Sequence, residues 1–271
     1  MTAATTVDEV ILRLDEVVAS CWDRRDRNGF FAAVYRTVTV KIREGIDTGF
    51  FDDGPRMARL DVAFANRYLA AHQEFVGGRR PTRSWALAFE TAAEACPIVL
   101  QHVLLGISAH INLDLGIAAA GVAPGPALPR LRRDFDRVNE ILALLVEQIE
   151  TDLHAVSPLL GLLDAAGGGH DEAVIRFSIQ VARTQAWRFA VELAPLARAD
   201  WSGPIRARDF RVARVGGAIR NPGLGPSAAL FVIRAAETPD VRRVITVLKG
   251  MEPPSLDQAD ARVRDERAGG D

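Results

Sequence analysis

The stretch HVLLGISAHINLDLGIAAAG, residues 102–121, decides how the rest of the chain is interpreted. It is apolar over most of its length, as expected for a helix that lies inside a protein. It also carries two His, one Ser, one Asn and one Asp, and each of these side chains costs free energy to bury without a hydrogen-bond partner. The sequence therefore predicts a buried helix whose polar groups are satisfied by one another, by water or by a ligand.

Helical geometry sorts the polar residues of this helix into two groups. Residues four apart differ by about 40° around the axis, because an α-helix has about 3.6 residues per turn. One slowly drifting stripe therefore contains His102, Gly106, His110 and Asp114. The other side contains Gln101, Ser108 and Asn112. We expect Gly106 to leave space above the two histidines, and His110 and Asp114 to be direct neighbours.

Three interpretations of the stripe remain open. A structural hydrogen-bond network would satisfy the polar groups without any chemistry. Acid–base catalysis is favoured by a His beside an Asp, because the carboxylate orients the imidazole and His titrates near neutral pH. A metal site is the third interpretation, because side chains four residues apart on a helix can bind one cation together.

Polar side chains on other predicted helices could complete a site around the stripe. Asn139 lies between Phe135 and Leu142 on the apolar face of its helix, where an interhelical hydrogen bond is the alternative to a site. Arg183 belongs to a polar stripe that ends at Trp187, and it could bind a carboxylate or phosphate through two parallel hydrogen bonds. A solvated face is the alternative for that stripe, and core packing is the alternative for Trp187.

A further predicted helix carries Asp61 on the same side as Phe64 and Tyr68. Asp61, Arg67 and Tyr68 either reach a pocket or pair with one another. We assign Tyr68 to the residues that would position a substrate.

The whole chain has the periodicity of an all-α protein. Apolar residues recur at helical spacing in successive segments, turn-forming residues separate the segments, and no strand-like alternation persists. We predict a single-domain bundle of eight or more helices around the buried central helix, spanning residues 1–252. Within it, shorter helices from about residue 200 pack on the preceding ones, and the polar residues 253–271 form a disordered tail.

Composition and charge exclude several classes of function. The chain has 271 residues, of which 25% are charged, and a net charge of −2, so no basic field exists to attract nucleic acid.

The N-terminus lacks the basic and apolar regions of a signal peptide. His, Asn and Asp interrupt the most apolar stretch, which argues against a membrane span. Cys21 and Cys96 are expected to be reduced thiols. We expect a cytoplasmic protein.

Several segments resemble the family of unknown function DUF5995. They are LLGISAHINLDLGIA in the central helix, LDVAFANRYLAA at 60–71, SWALAF at 84–89, DFDRVNEIL at 134–142 and AWRFAVELA at 186–194. The resemblance covers most of residues 30–250 and implies that the domain is one unit. It implies no activity and no catalytic residues.

A shorter resemblance concerns metal binding. GISAHINLD, residues 106–114, is similar to a helix of the zinc-dependent phospholipases C and related nucleases, in which His and Asp four residues apart bind zinc. The resemblance implies His110 and Asp114 as ligands. The chain has only five histidines, however, and His72, His154 and His170 do not fall into matching motifs. The resemblance is therefore compatible with a single-metal site rather than a trinuclear one.

The favoured function is that of an enzyme without a metal or other cofactor. It would act on a lipophilic, natural-product-like small molecule in a buried interhelical pocket, by cyclisation, isomerisation, elimination or hydrolysis. In this hypothesis His110 is the acid or base, Asp114 orients it and His102 assists. The residues assigned to substrate binding are Tyr68, Asn112, Asn139, Arg183 and Trp187.

Two alternatives remain beside this enzyme. The first is a metal-dependent hydrolase of phosphoesters or lipids, in which His110, Asp114 and His102 hold one divalent metal such as Zn. The second is a helical protein that binds a ligand or is purely structural, with no chemistry. The partner expected for the enzyme is a hydrophobic small molecule rather than nucleic acid, and a homodimer is left open.

Overall fold

The computed structural model describes residues 2–162, 171–222 and 224–250, and these residues form helices and turns, with no strand among them. The α-helices, in chain order, are α1 Val7–Arg24, α2 Asn28–Asp47, α3 Gly54–Val76, α4 Arg83–Thr91, α5 Val99–Ala109, α6 Gly116–Val122, α7 Leu128–Val156, α8 Asp171–Leu193, α9 Ser202–Arg220, α10 Leu224–Ala236 and α11 Val241–Lys249. The prediction of an all-α, single-domain bundle is confirmed. The tail predicted at 253–271 lies outside the described residues.

Local sequence signals fix where several helices begin. Thr6 caps α1 by accepting a hydrogen bond from the Glu9 N–H at 3.1 Å. Asp53 caps α3 by accepting from the Arg56 N–H at 2.9 Å, and Pro55 occupies the first turn, where its missing N–H is not needed. These side chains satisfy N–H groups that the first turn of a helix leaves unpaired.

The segment that the sequence predicts to be central is a continuous helix from Val99 to Val122, which we call the central helix. It consists of α5, a π-helical segment at His110–Leu115, and α6. By length and composition it could cross a membrane, but 83% of its apolar 18-residue window is buried inside the bundle. Helices of the same chain therefore cover the surface that would otherwise favour lipid.

Neighbouring helices enclose the central helix on several sides. α2 packs on α5, while α3 and α8 both pack on the π-helical segment and on α6. α7 packs against α2 and α8. Of the later helices, α9 packs on α4 and α5, and α11 packs on α2 and α7. The space between α2, α3, α7, α8 and the central helix is where the candidate site lies.

Two glycines allow close approaches to the central helix. A Cβ atom at Gly106 would lie 2.3 Å from Cγ of Phe31, and one at Gly116 would lie 2.6 Å from the carbonyl oxygen of Ala186 in α8. The prediction that Gly106 leaves space above the two histidines is therefore wrong, because the Phe31 ring fills that space. At Gly116 the missing side chain lets the α8 backbone pack directly on α6.

Gly116→Ala should destabilise the protein, because the new methyl group would overlap the Ala186 backbone, which cannot rotate away as a side chain can. We expect a loss of about 1–3 kcal/mol in the free energy of unfolding, measured by urea denaturation. Gly217→Ala in α9 is the matched control, since nothing lies within 4 Å of a Cβ there. The control should be neutral or up to about 1 kcal/mol more stable. A Gly116→Ala protein as stable as the wild type would contradict the close packing of α8.

Candidate functional site

The central helix changes its winding where its polar stripe lies. His110–Leu115 form a π-helical turn, in which hydrogen bonds run from residue i to i+5 and which frequently occurs at functional sites. The wider turn departs from the angular spacing of an α-helix. Nδ1 of His110 lies 3.7 Å from Oδ2 of Asp114, which is too long for a hydrogen bond. The two residues are neighbours, but no hydrogen bond between them fixes the imidazole.

The Asp114 carboxylate is bound by side chains from two other helices. Nε of Arg67 in α3 donates to Oδ1 at 2.6 Å, and Nε1 of Trp85 in α4 donates to Oδ2 at 2.7 Å. Burial alone would raise the pKa of Asp114, but Arg67, together with His110 and Trp85, outweighs it and holds the pKa below its usual value. Asp114 is therefore an ionised link between α3, α4 and the central helix.

His110 has no hydrogen-bond partner for either ring nitrogen among the described residues, although only 3% of the residue is exposed. Its ring stacks on Phe64, with centroids 3.5 Å apart, and meets the Tyr35 ring edge-on at 4.4 Å. Burial lowers the pKa of His110, and the nearby Asp114 carboxylate opposes this only in part. His110 is therefore a neutral imidazole at about pH 7, with one N–H and one lone pair still available.

An apolar cavity adjoins His110. It lies between α2, α3, the central helix, α7 and α8, and its volume is about 100 Å³. Aliphatic and aromatic side chains form most of its walls. Each surrounding helix contributes to them, and examples are Val34, Met57, Ile107, Leu142 and Ile179.

Four polar side chains interrupt this apolar lining, and each is at most 6% exposed. Among the described residues no partner exists for the Tyr35 hydroxyl, Oδ2 of Asp61, both nitrogens of His110 and Nε of Arg183. A buried polar atom without a partner costs about 1–3 kcal/mol. Four such groups around one cavity indicate a site that a ligand or water completes.

Asp61 and Tyr35 give the cavity its acid–base character. Burial raises the pKa of Asp61 to about 7, so its carboxyl group exchanges protons in the physiological range. Burial also raises the pKa of Tyr35, and the charge of Asp61 raises it further, so the hydroxyl stays protonated. The sequence alone did not decide whether Asp61 reaches a pocket or pairs with a neighbouring side chain. It gave no sign of Tyr35, because a Tyr on an apolar helical face is indistinguishable from a core residue.

The sequence also matches a family model over most of its length. The model of the family of unknown function DUF5995 matches residues 7–222. The chain belongs to this family. Neither the curated proteins nor the solved structures provide a match. The DUF5995 match extends from α1 through α9, so it includes every helix that lines the cavity.

His102 of this DUF5995 member does not line the cavity that His110 lines. It is buried beside Phe30, and neither of its ring nitrogens has a partner among the described residues. Burial, followed by the charges of Arg27 and Arg234, lowers its pKa to about 4. The structure therefore does not bring His102 together with His110 and Asp114 in one site.

Of the five residues predicted to bind substrate, Arg183 lines the cavity and the other four do not. Nδ2 of Asn112 lies 3.4 Å from a serine hydroxyl of its own helix. Trp187 packs on an aromatic ring of α7, with centroids 5.0 Å apart. The Tyr68 hydroxyl and Oδ1 of Asn139 are buried without a partner among the described residues, but neither residue lines the cavity.

The metal alternative needs a set of ligands that the described residues do not bring together. In that part of the chain, no group of three or more His, Cys, Asp or Glu side chains is arranged to hold a metal ion. His110 and Asp114 would supply two ligands, and the Asp114 oxygens already accept from Arg67 and Trp85. A catalytic zinc site has three protein ligands, so His110 and Asp114 alone do not form such a site.

Asp114→Asn should destabilise the protein strongly, because it removes the negative charge beside the Arg67 guanidinium and leaves a buried donor without an acceptor. We expect a loss of about 3–5 kcal/mol in the free energy of unfolding, measured by denaturant titration. Asp136→Asn is the matched control, since Asp136 also accepts from an arginine Nε at 2.6 Å but is 44% exposed, against 1% for Asp114. The control should lose less than about 1 kcal/mol. Equal losses would refute the anchoring role of Asp114.

Proposed function

We propose that the protein is an enzyme that binds a small lipophilic molecule in the apolar cavity and exchanges protons with it through Asp61 and His110. The observation that carries this proposal is the presence of two buried titratable groups with unpartnered atoms in the wall of one apolar cavity. Unpaired titratable groups are costly to bury, and perturbed groups of this kind cluster at functional sites.

Asp61 and His110 have complementary tasks in such a reaction. Asp61, whose pKa burial raises to about 7, still carries a proton in a large part of the population near neutral pH and serves as the general acid. His110 is neutral because burial lowers its pKa, so its free ring nitrogen serves as the general base. A pair of titratable groups whose environments assign them opposite tasks is typical of acid–base enzymes.

Other side chains would position the substrate and the imidazole. The Tyr35 hydroxyl is protonated, buried and unpartnered among the described residues, so it can donate a hydrogen bond to a substrate oxygen. Asp114, Arg67 and Trp85 would act through the π-helical turn, which they hold against α3 and α4. They are positioning residues in this proposal.

The size and polarity of the cavity restrict the reaction. A volume of about 100 Å³ is comparable to engineered core cavities that bind a benzene-sized molecule. The substrate is therefore compact, or only part of it enters. Isomerisation and cyclisation rearrange one molecule, and elimination divides one molecule into two products, so none of them needs a second reactant in this space. Hydrolysis would need a water molecule with several polar partners, which an apolar lining favours less.

Asp61→Asn and His110→Gln should slow turnover strongly and leave ligand binding largely intact. The full chain is incubated with a lipid extract of the cells that produce it, and mass spectrometry follows the compounds that disappear or form. We expect the wild type to convert at least one compound. Each variant should be about 10²–10⁴-fold slower, which is the usual contribution of a positioned acid or base.

His102→Gln is the matched control for His110→Gln. His102 is also a buried histidine of the central helix with two unpartnered nitrogens, but it does not line the cavity. This variant should retain wild-type turnover. If the wild type binds compounds of the extract and converts none of them, the protein is a binding protein and catalysis is disproved. Wild-type turnover by Asp61→Asn would exclude Asp61 as the acid.

Asp61 should also determine part of the pH dependence of stability. Its folded-state pKa of about 7 lies above the ordinary value of 3.8, so between these pH values the folded protein holds a proton that the unfolded chain has lost. The free energy of unfolding therefore falls as the pH rises through this window, and the loss is complete above it.

Asp61→Asn should remove this pH-dependent loss. At about pH 8 the variant should be more stable than the wild type by a few kcal/mol, at about 1.4 kcal/mol per pH unit by which the pKa is displaced. Urea unfolding of both proteins across the window is the measurement. If the two proteins keep the same slope, the titrating group is not Asp61.

A further inference from the structure

Arg183 is a buried cation in the wall of the same cavity. It lies in α8, is 5% exposed and lines the cavity next to Phe135. One of its NH2 groups donates to the Phe135 carbonyl oxygen, and the guanidinium carbon lies 4.5 Å from the centre of the Phe135 ring. Nε is buried and has no acceptor among the described residues. Most of the five N–H donors of this guanidinium are therefore unused by the described chain.

Arg183 is absent from the ion pairs that the described residues form. Within the described part of the chain, no Asp or Glu oxygen forms an ion pair with its guanidinium within 4 Å. Burial lowers the pKa of Arg183 to about 10, while Asp136 and Arg132 act on it with opposite signs. The side chain therefore stays ionised at neutral pH, without an ion-pair partner among the described residues.

Lys41, which is the other buried Lys or Arg among the described residues, is paired, and so is the partly buried Arg56. Lys41 has a side chain that is 2% exposed, and its Nζ lies 2.5 Å from Oε2 of Glu44. Arg56 contacts the fully buried carboxylate of Asp134 at 3.1 Å. An unpaired buried charge is strongly destabilising. The contrast with Arg183 indicates an anion that the described residues do not supply.

We infer that the ligand of the cavity is an amphiphilic carboxylate, whose carboxylate binds Arg183 and whose apolar body fills the cavity. The inference rests on the proposed function, because it names the chemical class of that ligand. A guanidinium matches a planar carboxylate through two parallel hydrogen bonds. Among the described lining residues Arg183 is the one Arg or Lys, which suits a single negative charge better than a phosphate dianion.

The carboxylate of the ligand then binds the protein and is not the group that reacts. Arg183 and Asp61 both line the cavity, but they do not form an ion pair within 4 Å. A ligand held by its carboxylate at Arg183 would present another part of its body to Asp61 and His110. The anion would also remain apart from the Asp61 carboxyl group, whose ionised form would repel it.

Isothermal titration calorimetry of the full chain with hexanoate and with 1-hexanol tests this inference. At about pH 7.5 hexanoate is ionised, so the probes share a chain length and differ in charge. We expect hexanoate to bind on the order of ten- to hundredfold more tightly, because hydrogen bonds to a charged group are strong. Equal affinity, or tighter binding of 1-hexanol, would overturn the carboxylate inference and leave the lipophilic site. No binding of either probe would overturn both.

Arg183→Met locates the effect, because methionine is apolar and fills space in a similar way without a charge. The preference for hexanoate should disappear and binding of 1-hexanol should persist. Without ligand, the thermal midpoint should rise, because the variant lacks an unpaired buried charge. Arg183→Gln serves the same comparison where Arg183→Met does not fold.

Arg132→Met is the matched control. Arg132 is an arginine of α7 with a side chain that is 46% exposed, and it does not line the cavity. This variant should keep the preference for hexanoate. A preference that survives in both Arg183 variants would place the anion elsewhere and overturn the assignment of Arg183.

Discussion

The buried carboxylate of Asp114 links the elements that form the site. It binds Arg67 of α3 and Trp85 of α4, and it lies in the same π-helical turn as His110. Asp61 and Phe64 precede Arg67 on α3 by six and three residues. The pairing of Arg67 with Asp114 therefore sets the register of α3 against the central helix, and this register places Phe64 on the His110 ring and Asp61 at the cavity.

The pKa shift of each buried titratable group depends on the partners of that group. Asp114 has two hydrogen-bond donors, so its pKa stays low although the residue is 1% exposed. Oδ2 of Asp61 has no donor among the described residues, and burial raises the pKa of Asp61 to about 7, while burial lowers the pKa of His110. One apolar interior thus contains an ionised carboxylate at Asp114, a neutral imidazole at His110 and a carboxyl group at Asp61 that titrates near neutral pH. The opposite pKa shifts of Asp114 and Asp61 therefore come from their partners and not from their depth of burial.

The sequence identified part of the site, and physical reasons account for the rest. His110 could be found because a polar residue on an apolar helical face needs a partner, and Arg183 because a guanidinium can bind a carboxylate or phosphate through two parallel hydrogen bonds. Tyr35 was missed, since its ring is apolar enough to be taken as core. His102 was grouped with His110 because an α-helical projection shows only the direction of each side chain around one axis. It cannot show that the Phe31 ring fills the space beside Gly106.

By itself the sequence determined the helical periodicity, the all-α class and the burial of the central helix. These depend on local propensity and on the spacing of apolar residues, which can be seen in one chain segment at a time. The tertiary structure decided the π-helical turn, the pairing of Asp114 with Arg67 and Trp85, and the convergence of Asp61, Tyr35, His110 and Arg183 on one cavity. Those features depend on contacts between helices far apart in sequence, and no single segment encodes the register that creates them.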